Sequence, residues 1–205
     1  EAEPARLRSI LDELGIAFLF APRFHPGFRG VAPIRRRLPF RTVFNLVGPL
    51  CNPASPPFQV VGVPRESHAR RMAEVLVRTP SIRRASVVRG ADGLDEVTLT
   101  GPTEVLVVED GTITEQSWTP ADFGLPVTQL KGLEVDGPAE SAALLRRAFA
   151  GEAGPVRSYV LANAAAALWT VERTPLPDAV ARAAEAIDSG RAASLLKRWA
   201  TLSQP

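Results

Sequence analysis

The run Asp92-Gly93-Leu94-Asp95-Glu96 places three carboxylates within five residues, directly after a segment that reads as a strand. Open α/β sheets bind ligands beyond the carboxyl ends of their strands. Mg²⁺ prefers hard oxygen ligands and commonly takes one or two carboxylates together with substrate phosphate. Asp95 and Glu96 would point in different directions on an extended chain, whereas a turn can bring both toward one cation. The sequence thus leaves two interpretations open, a magnesium site and a solvated turn before a strand.

A second candidate is a basic segment from Leu14 to Arg65 that contains no acid. Its arginines are Arg23, Arg29, Arg35, Arg36, Arg37, Arg41 and Arg65. The planar guanidinium matches carboxylates and phosphates, so the segment indicates an anionic ligand if it is more than a solvated face. Nucleic acid is not expected, because the aromatic residues here lie in apolar company rather than in a stacking pattern. His25, in the same segment, could contact a ligand, transfer a proton or be purely structural.

Length and composition limit the class of protein. The 205 residues are 45% hydrophobic and 22% charged, which suffices for a packed core. No apolar run approaches the roughly 20 residues that cross a bilayer, and the single cysteine, Cys51, excludes an internal disulfide framework. We therefore expect no membrane partner and a reducing, cytoplasmic location. Glu1 and the residues after it read as a helix already inside a larger protein, so an upstream part is expected.

Hydrophobic spacing and turn residues predict an α/β class. The order strand, helix, strand over residues 58–88 predicts a parallel crossover unit, and shorter antiparallel strands follow. The predicted strands are 16–20, 58–63, 85–88, 97–99, 104–108 and 112–118, the last two joined around Asp110-Gly111. The predicted helices are 4–14, ended by Gly15, 25–38 with an interruption at Pro33, 66–78 with Met72, Val75 and Leu76 facing inward, 139–150, 156–171 and 178–196, and 42–47 is predicted as a short helix or turn. No Walker motif, dinucleotide fingerprint, nucleophile elbow or metalloprotease helix is present.

Several collinear strings resemble the anthranilate phosphoribosyltransferase family. These are F-L-F-A-P-R-F-H-P at 18–26, R-T-V-F-N-L-V-G-P-L-C-N-P at 41–53, D-G-L-D-E-V at 92–97, D-F-G-L at 122–125, N-A-A-A-A-L at 163–168 and A-I-D-S-G at 186–190. The resemblance covers essentially the whole chain. It implies a mixed, mainly parallel sheet flanked by helices, of the catalytic-domain type found in nucleoside phosphorylases and phosphoribosyltransferases. It also implies one domain over 1–205, truncated at the N-terminus, with a helical excursion at 26–52 that would pack on a missing helical domain.

The resemblance implies a reaction and a set of residues for it. The family joins anthranilate to phosphoribosyl pyrophosphate, releases pyrophosphate and requires Mg²⁺. Arg35 would bind the anthranilate carboxylate, and Asp95 with Glu96 would hold Mg²⁺. The anthranilate tunnel would be lined by His25, Ala21, Pro22, Phe28, Gly48 and Pro49. No residue is assigned to acid–base catalysis, and a homodimer is the expected family assembly, although most of its dimerising region would lie upstream.

The chain also departs from the family pattern. The glycine-rich loop that cradles phosphate in the family precedes the region equivalent to Glu1, so the isolated chain is expected to turn over poorly. Arg89 stands where histidine is common, and it could hold phosphate or weaken the cation. The alternative to the transferase is a shortened, non-catalytic relative that binds aromatic acids or nucleic acid. The related pyrimidine nucleoside phosphorylases are a third reading, but their sequence signatures are absent.

Overall fold

The computed structural model describes residues 3–25, 27, 37 and 44–204. They contain the helices α1 (Pro4–Leu14), α2 (Ala21–Phe24), α3 (Phe44–Val47), α4 (Glu66–Leu76), α5 (Pro138–Phe149), α6 (Pro155–Glu172), α7 (Leu176–Asp188) and α8 (Arg191–Leu202). The strands are β1 (Phe58–Gly62), β2 (Arg84–Gly90), β3 (Thr103–Glu109) and β4 (Thr112–Trp118), with short 3₁₀ helices at Gly48–Cys51 and Pro120–Phe123. Within this part of the chain, no helix is both long and apolar enough to cross a membrane.

The chain divides into two compact units. The first comprises Glu1–Ser55 and Ser194–Pro205. In it α1 buries Leu7 and Ile10, and its Arg6 donates a hydrogen bond to the carbonyl of Leu202, at 2.8 Å. Gly15 ends α1 in the left-handed conformation, as the sequence predicts.

The second unit, Pro56–Ala193, contains the sheet. Its strand order is β1-β2-β3-β4, with β1 parallel to β2 and the other two pairings antiparallel. The prediction of a mixed sheet flanked by helices is therefore confirmed, with one parallel pairing among the described strands rather than a parallel majority. The crossover through α4 and the turn at Asp110-Gly111 also lie where the sequence predicts them, and both turn residues have positive φ.

Helices cover both faces of this sheet. Successive strand residues point to opposite faces, so Val88 faces one side and Val87 the other, and both are buried. On one face Val88 joins a cluster with Ala162 and Ala165 of α6, which are fully buried. Helix α4 contacts β2 and β3. The sequence places Val75 of α4 on the inner face, but this side chain is 43% exposed, so that prediction is wrong.

Two further predictions of secondary structure differ from the fold. Residues 16–20 form no strand, and Phe18 is 61% exposed. Instead of one helix over 178–196, α7 ends at Asp188 and α8 begins at Arg191. The break has a local cause, because Gly190 takes a φ of 75°, which a helix interior does not allow. The helix expected over 25–38 lies mostly outside the described residues.

Candidate functional site

The three carboxylates lie on a loop at the carboxyl edge of the parallel strands β1 and β2. We call residues 91–100 the acid loop. It leaves β2 at Gly90, whose N–H donates to the carbonyl of Leu94 at 2.9 Å, and the Ala91 N–H donates to the carbonyl of Pro102 at 3.0 Å. These bonds fold the loop back over the strand end, the position that open α/β sheets use for ligands.

Asp92 anchors the loop rather than facing a ligand. One carboxylate oxygen accepts hydrogen bonds from the hydroxyls of Thr98, at 2.5 Å, and Thr100, at 2.7 Å. The other accepts the N–H of Leu94 at 3.1 Å. Desolvation pushes the pKa of Asp92 upward, but these hydrogen bonds outweigh it and hold the pKa below its ordinary value. Asp92 is thus ionised at neutral pH and committed to the turn.

The residues after the acids, 97–99, form no strand in the described chain. The sequence predicts a strand at 97–99, and this prediction is wrong because other groups take the backbone hydrogen bonds. Asn163 of α6 accepts the N–H of Val97 at 3.0 Å and donates to its carbonyl at 3.2 Å. The Thr98 N–H donates to the Thr103 hydroxyl, also at 3.0 Å, and the Leu99 carbonyl accepts the Thr128 N–H at 2.8 Å.

Asp95 and Glu96 are both exposed residues beside this anchored segment. Partial desolvation of its carboxylate raises the pKa of Glu96, and the neighbouring charge of Asp95 adds to the effect. A cation bound beside Glu96 would offset this cost of ionising its carboxylate. Among the described residues no group of three acids, histidines or cysteines could hold a metal. A pair of carboxylates fits Mg²⁺, which retains water ligands and takes up substrate phosphate.

Arg89 does not point freely at the acid loop. It pairs with Glu104, its cross-strand neighbour on β3, through a hydrogen bond from Nε of 2.8 Å and a second contact from Nη2 of 2.6 Å. This ion pair lines an open cleft of about 410 Å³ together with Glu66 at the start of α4. Because Glu104 balances its charge, Arg89 does not act as an unpaired cation beside the acid pair.

The residues assigned to the anthranilate tunnel belong to the first unit or lie outside the described residues. Ala21 and Pro22 are in α2. The backbone N–H of the half-buried His25 donates a hydrogen bond to the Ala21 carbonyl at 3.0 Å. Gly48 and Pro49, both exposed, begin the 3₁₀ helix. Arg35 and Phe28 fall outside the described residues. The tunnel therefore stays a prediction from the resemblance.

Sequence reasoning missed the residues that position the acids. These are Gly62, Thr98, Thr100 and Asn163. It also missed the anchoring role of Asp92, which the sequence shows only as one of three neighbouring carboxylates. A glycine inside the strand pattern F-Q-V-V-G-V signals that another backbone approaches closely. Asn163 is the polar residue that directly precedes four alanines in α6, and this is the signal that the sequence offers for it. The threonines had no sequence signal beyond their nearness to Asp92.

Known proteins resemble this chain in sequence and in fold. The model of the glycosyl transferase family, a/b domain, matches residues 1–193. The anthranilate phosphoribosyltransferase of Methylibium petroleiphilum is 44% identical over 197 residues, covering 96% of this chain and 57% of the relative. The chain thus spans about three fifths of the length of the curated relatives it matches.

Solved structures agree with this match. The anthranilate phosphoribosyltransferase of Thermus thermophilus superposes with a TM-score of 0.89 at 40% identity, covering 100% of this chain and 61% of that one. The enzyme of Saccharomyces cerevisiae, in complex with PRPP and Mg, gives 0.88 at 27% identity, covering 98% of this chain and 57% of that one. The family match and these superpositions lead to one conclusion: the chain belongs to the glycosyl transferase family defined by this α/β domain.

Proposed function

We propose that the chain supplies the Mg²⁺- and anthranilate-binding part of an anthranilate phosphoribosyltransferase, the enzyme that forms phosphoribosyl anthranilate in tryptophan biosynthesis. The acid pair on its anchored loop carries this proposal. Its two negative charges and its place at the carboxyl edge of the sheet suit the Mg²⁺ found with PRPP in the Saccharomyces cerevisiae relative. The names of the similar proteins favour the transferase over a non-catalytic binding module.

The chemistry needs positioning and charge stabilisation more than proton transfer. The anthranilate amine attacks the anomeric carbon of the ribose while the bond from that carbon to pyrophosphate breaks. Mg²⁺, when bound, neutralises the negative charge that develops on the departing pyrophosphate. Asp95 and Glu96 hold that cation at the carboxyl edge of the sheet, and Asp92 keeps the loop that carries them in shape.

The anthranilate side rests on the sequence resemblance. Arg35 binds the carboxylate of anthranilate through its planar guanidinium. The tunnel walls come from His25, Ala21, Pro22, Phe28, Gly48 and Pro49. A homodimer, as expected for the family, belongs to the same proposal.

A cation titration tests the acid pair. Mn²⁺ replaces Mg²⁺ as a spectroscopic probe, and binding is followed by electron paramagnetic resonance with pyrophosphate present. We expect the double variant Asp95→Asn/Glu96→Gln to weaken Mn²⁺ binding at least tenfold. The matched control is Glu115→Gln, which removes an exposed acid on β4 that pairs with Arg70, and should leave binding unchanged. Equal Mn²⁺ affinity in the double variant and in the unaltered chain would show that the cation does not bind at Asp95 and Glu96.

A second experiment tests the anthranilate assignment. Arg35→Ala should cost about 1.5–3 kcal/mol of anthranilate affinity, the value of a hydrogen bond to a charged group, while PRPP affinity stays within twofold. Calorimetry measures both affinities, on the unaltered chain and on the Arg35→Ala variant. Equal loss of both ligands would show that Arg35 has been assigned to the wrong substrate.

A further inference from the structure

We propose that Asn163 is a positioning residue for the acid pair, holding the junction between Glu96 and Val97 from the side of helix α6. This inference rests on the proposed function, because the purpose of the positioning is to present Asp95 and Glu96 to a cation. The hydrogen bonds of Asn163 in the described chain go to backbone groups, so it acts on the acids through the backbone.

The contacts of Asn163 reproduce those of a neighbouring β-strand. Its Oδ1 accepts the Val97 N–H and its Nδ2 donates to the Val97 carbonyl, so both backbone groups of one residue are paired by one side chain. The same Nδ2 also donates to the carbonyl of Tyr159, one helical turn earlier, at 3.1 Å. This bond to its own helix fixes the amide in the orientation that Val97 requires.

We call the two hydrogen bonds between Asn163 and Val97 the Asn163 clamp, and its position in the chain couples it to Glu96. The peptide group whose N–H reaches Asn163 is the one that carries the Glu96 carbonyl, and peptide groups are planar. Fixing Val97 therefore fixes one side of the Glu96 backbone. The Asp92 carboxylate accepts hydrogen bonds from Leu94 and from Thr98. Asp95 and Glu96 therefore lie between two anchored residues.

Close packing of α6 makes the clamp possible. Ala162, Ala165 and Ala166 are fully buried, and their small side chains let the helix approach the sheet and the acid loop. The hydroxyl of Tyr159 also lies 3.4 Å from that of Thr98. One face of α6 thus touches the loop at two successive residues, Val97 and Thr98.

A matched pair of variants on α6 separates positioning from general stability. Asn163→Leu keeps the approximate shape and removes both bonds to Val97. Thr170→Val removes a buried hydrogen bond at the far end of the same helix, where Thr170 contacts Ser86 of β2 at 2.7 Å. Asn163→Asp keeps the acceptor for the Val97 N–H and loses the donor to the Val97 carbonyl. It replaces Asn163→Leu in the experiment if that variant does not fold.

The first measurement needs no cation. Hydrogen–deuterium exchange of a peptide covering the acid loop is normalised to a peptide covering β3, which corrects for global opening. We expect exchange at least tenfold faster in Asn163→Leu, or threefold faster in Asn163→Asp, than in Thr170→Val. Exchange that rises equally in the Asn163 variant and in Thr170→Val would show that Asn163 is an ordinary packing residue and would overturn the proposal.

The second measurement is Mn²⁺ affinity with pyrophosphate present. We expect at least a fivefold loss in the Asn163 variant and less than a twofold loss in Thr170→Val. Unchanged affinity in the Asn163 variant, where the unaltered chain binds Mn²⁺, would overturn the proposal. A third outcome is that the unaltered chain binds no Mn²⁺ while the acid loop exchanges faster in the Asn163 variant than in Thr170→Val. In that case the cation assignment of the proposed function fails, and the positioning of the acid loop by Asn163 is supported.

Discussion

The backbone carbonyl of Asp95 packs directly against Gly62, the last residue of β1. A β-carbon at Gly62 would stand 1.6 Å from this carbonyl oxygen and 2.5 Å from its carbon. No side chain fits there without moving the backbone of the acid loop. The close packing at the end of β1 thereby fixes the backbone position of Asp95, the first acid of the pair.

Replacing Gly62 with alanine should therefore displace Asp95. The new methyl group meets backbone rather than a flexible side chain, so the loop must shift as a whole. We expect a loss of about 1–3 kcal/mol in the free energy of unfolding, as for other overpacked sites, and weaker Mn²⁺ binding. Gly101→Ala is the control, because a β-carbon there meets nothing within 4 Å. Denaturant melts that fail to distinguish the two alanine variants would contradict this account.

Gly62 also shows what the sequence could and could not reveal about the site. The acid pair was visible as a motif, and the strand end before it followed from hydrophobic spacing. Only a fold shows which backbone approaches a glycine, because Gly62 and Asp95 lie far apart in sequence. The Asn163 clamp was hidden for the same reason, since a side-chain amide that completes a backbone's hydrogen bonds leaves no periodic pattern.

The acid loop should lose its shape in acid. Because the pKa of Asp92 is lowered on folding, its stabilising contribution is present above the unfolded value, near pH 4, and is lost as the pH falls through the folded value. Asp92→Asn should cost about 1–3 kcal/mol at neutral pH, because the hydroxyls of the buried Thr98 and the half-buried Thr100 lose an ionised acceptor. Its unfolding free energy should fall less steeply below pH 4 than that of the unaltered chain. Parallel acid dependences in urea melts would exclude Asp92 as the anchor.

Glu96 should have the opposite pH dependence. Its pKa is raised on folding, so the folded state binds more protons than the unfolded state in the window above the unfolded value, near pH 4.5. Stability then falls as the pH rises through that window. Glu96→Gln should be more stable than the unaltered chain above it, by at most about 1 kcal/mol because the residue is exposed. Thermal melts at pH 4 and pH 7 measure this difference, which should vanish at the lower pH and shrink at pH 7 when Mg²⁺ and pyrophosphate are added.

The fold was predictable where local pattern and pairing agree. Strand β4 and the crossover through α4 follow from alternation, helical spacing and turn residues. Residues 16–20 carry an equally apolar pattern, yet a strand needs a neighbour for its backbone hydrogen bonds, and no strand of the described chain pairs with them. The predicted strand at 97–99 is wrong for a different reason. The side chains of Asn163 and Thr103 take the backbone hydrogen bonds that a neighbouring strand would otherwise take.

The buried pair Ser86 and Thr170 offers a test of how α6 is held to the sheet. Their hydroxyls lie 2.7 Å apart and neither residue is more than 1% exposed, while Thr170 also donates to the Ala166 carbonyl at 2.7 Å. Thr170→Val should cost about 1–3 kcal/mol, because it leaves the Ser86 hydroxyl buried without its partner. Adding Ser86→Ala removes that orphaned group, so the double variant should be less destabilised than the sum of the two single variants. Urea melts of all four proteins measure the coupling, and strict additivity would show that the two hydroxyls act independently.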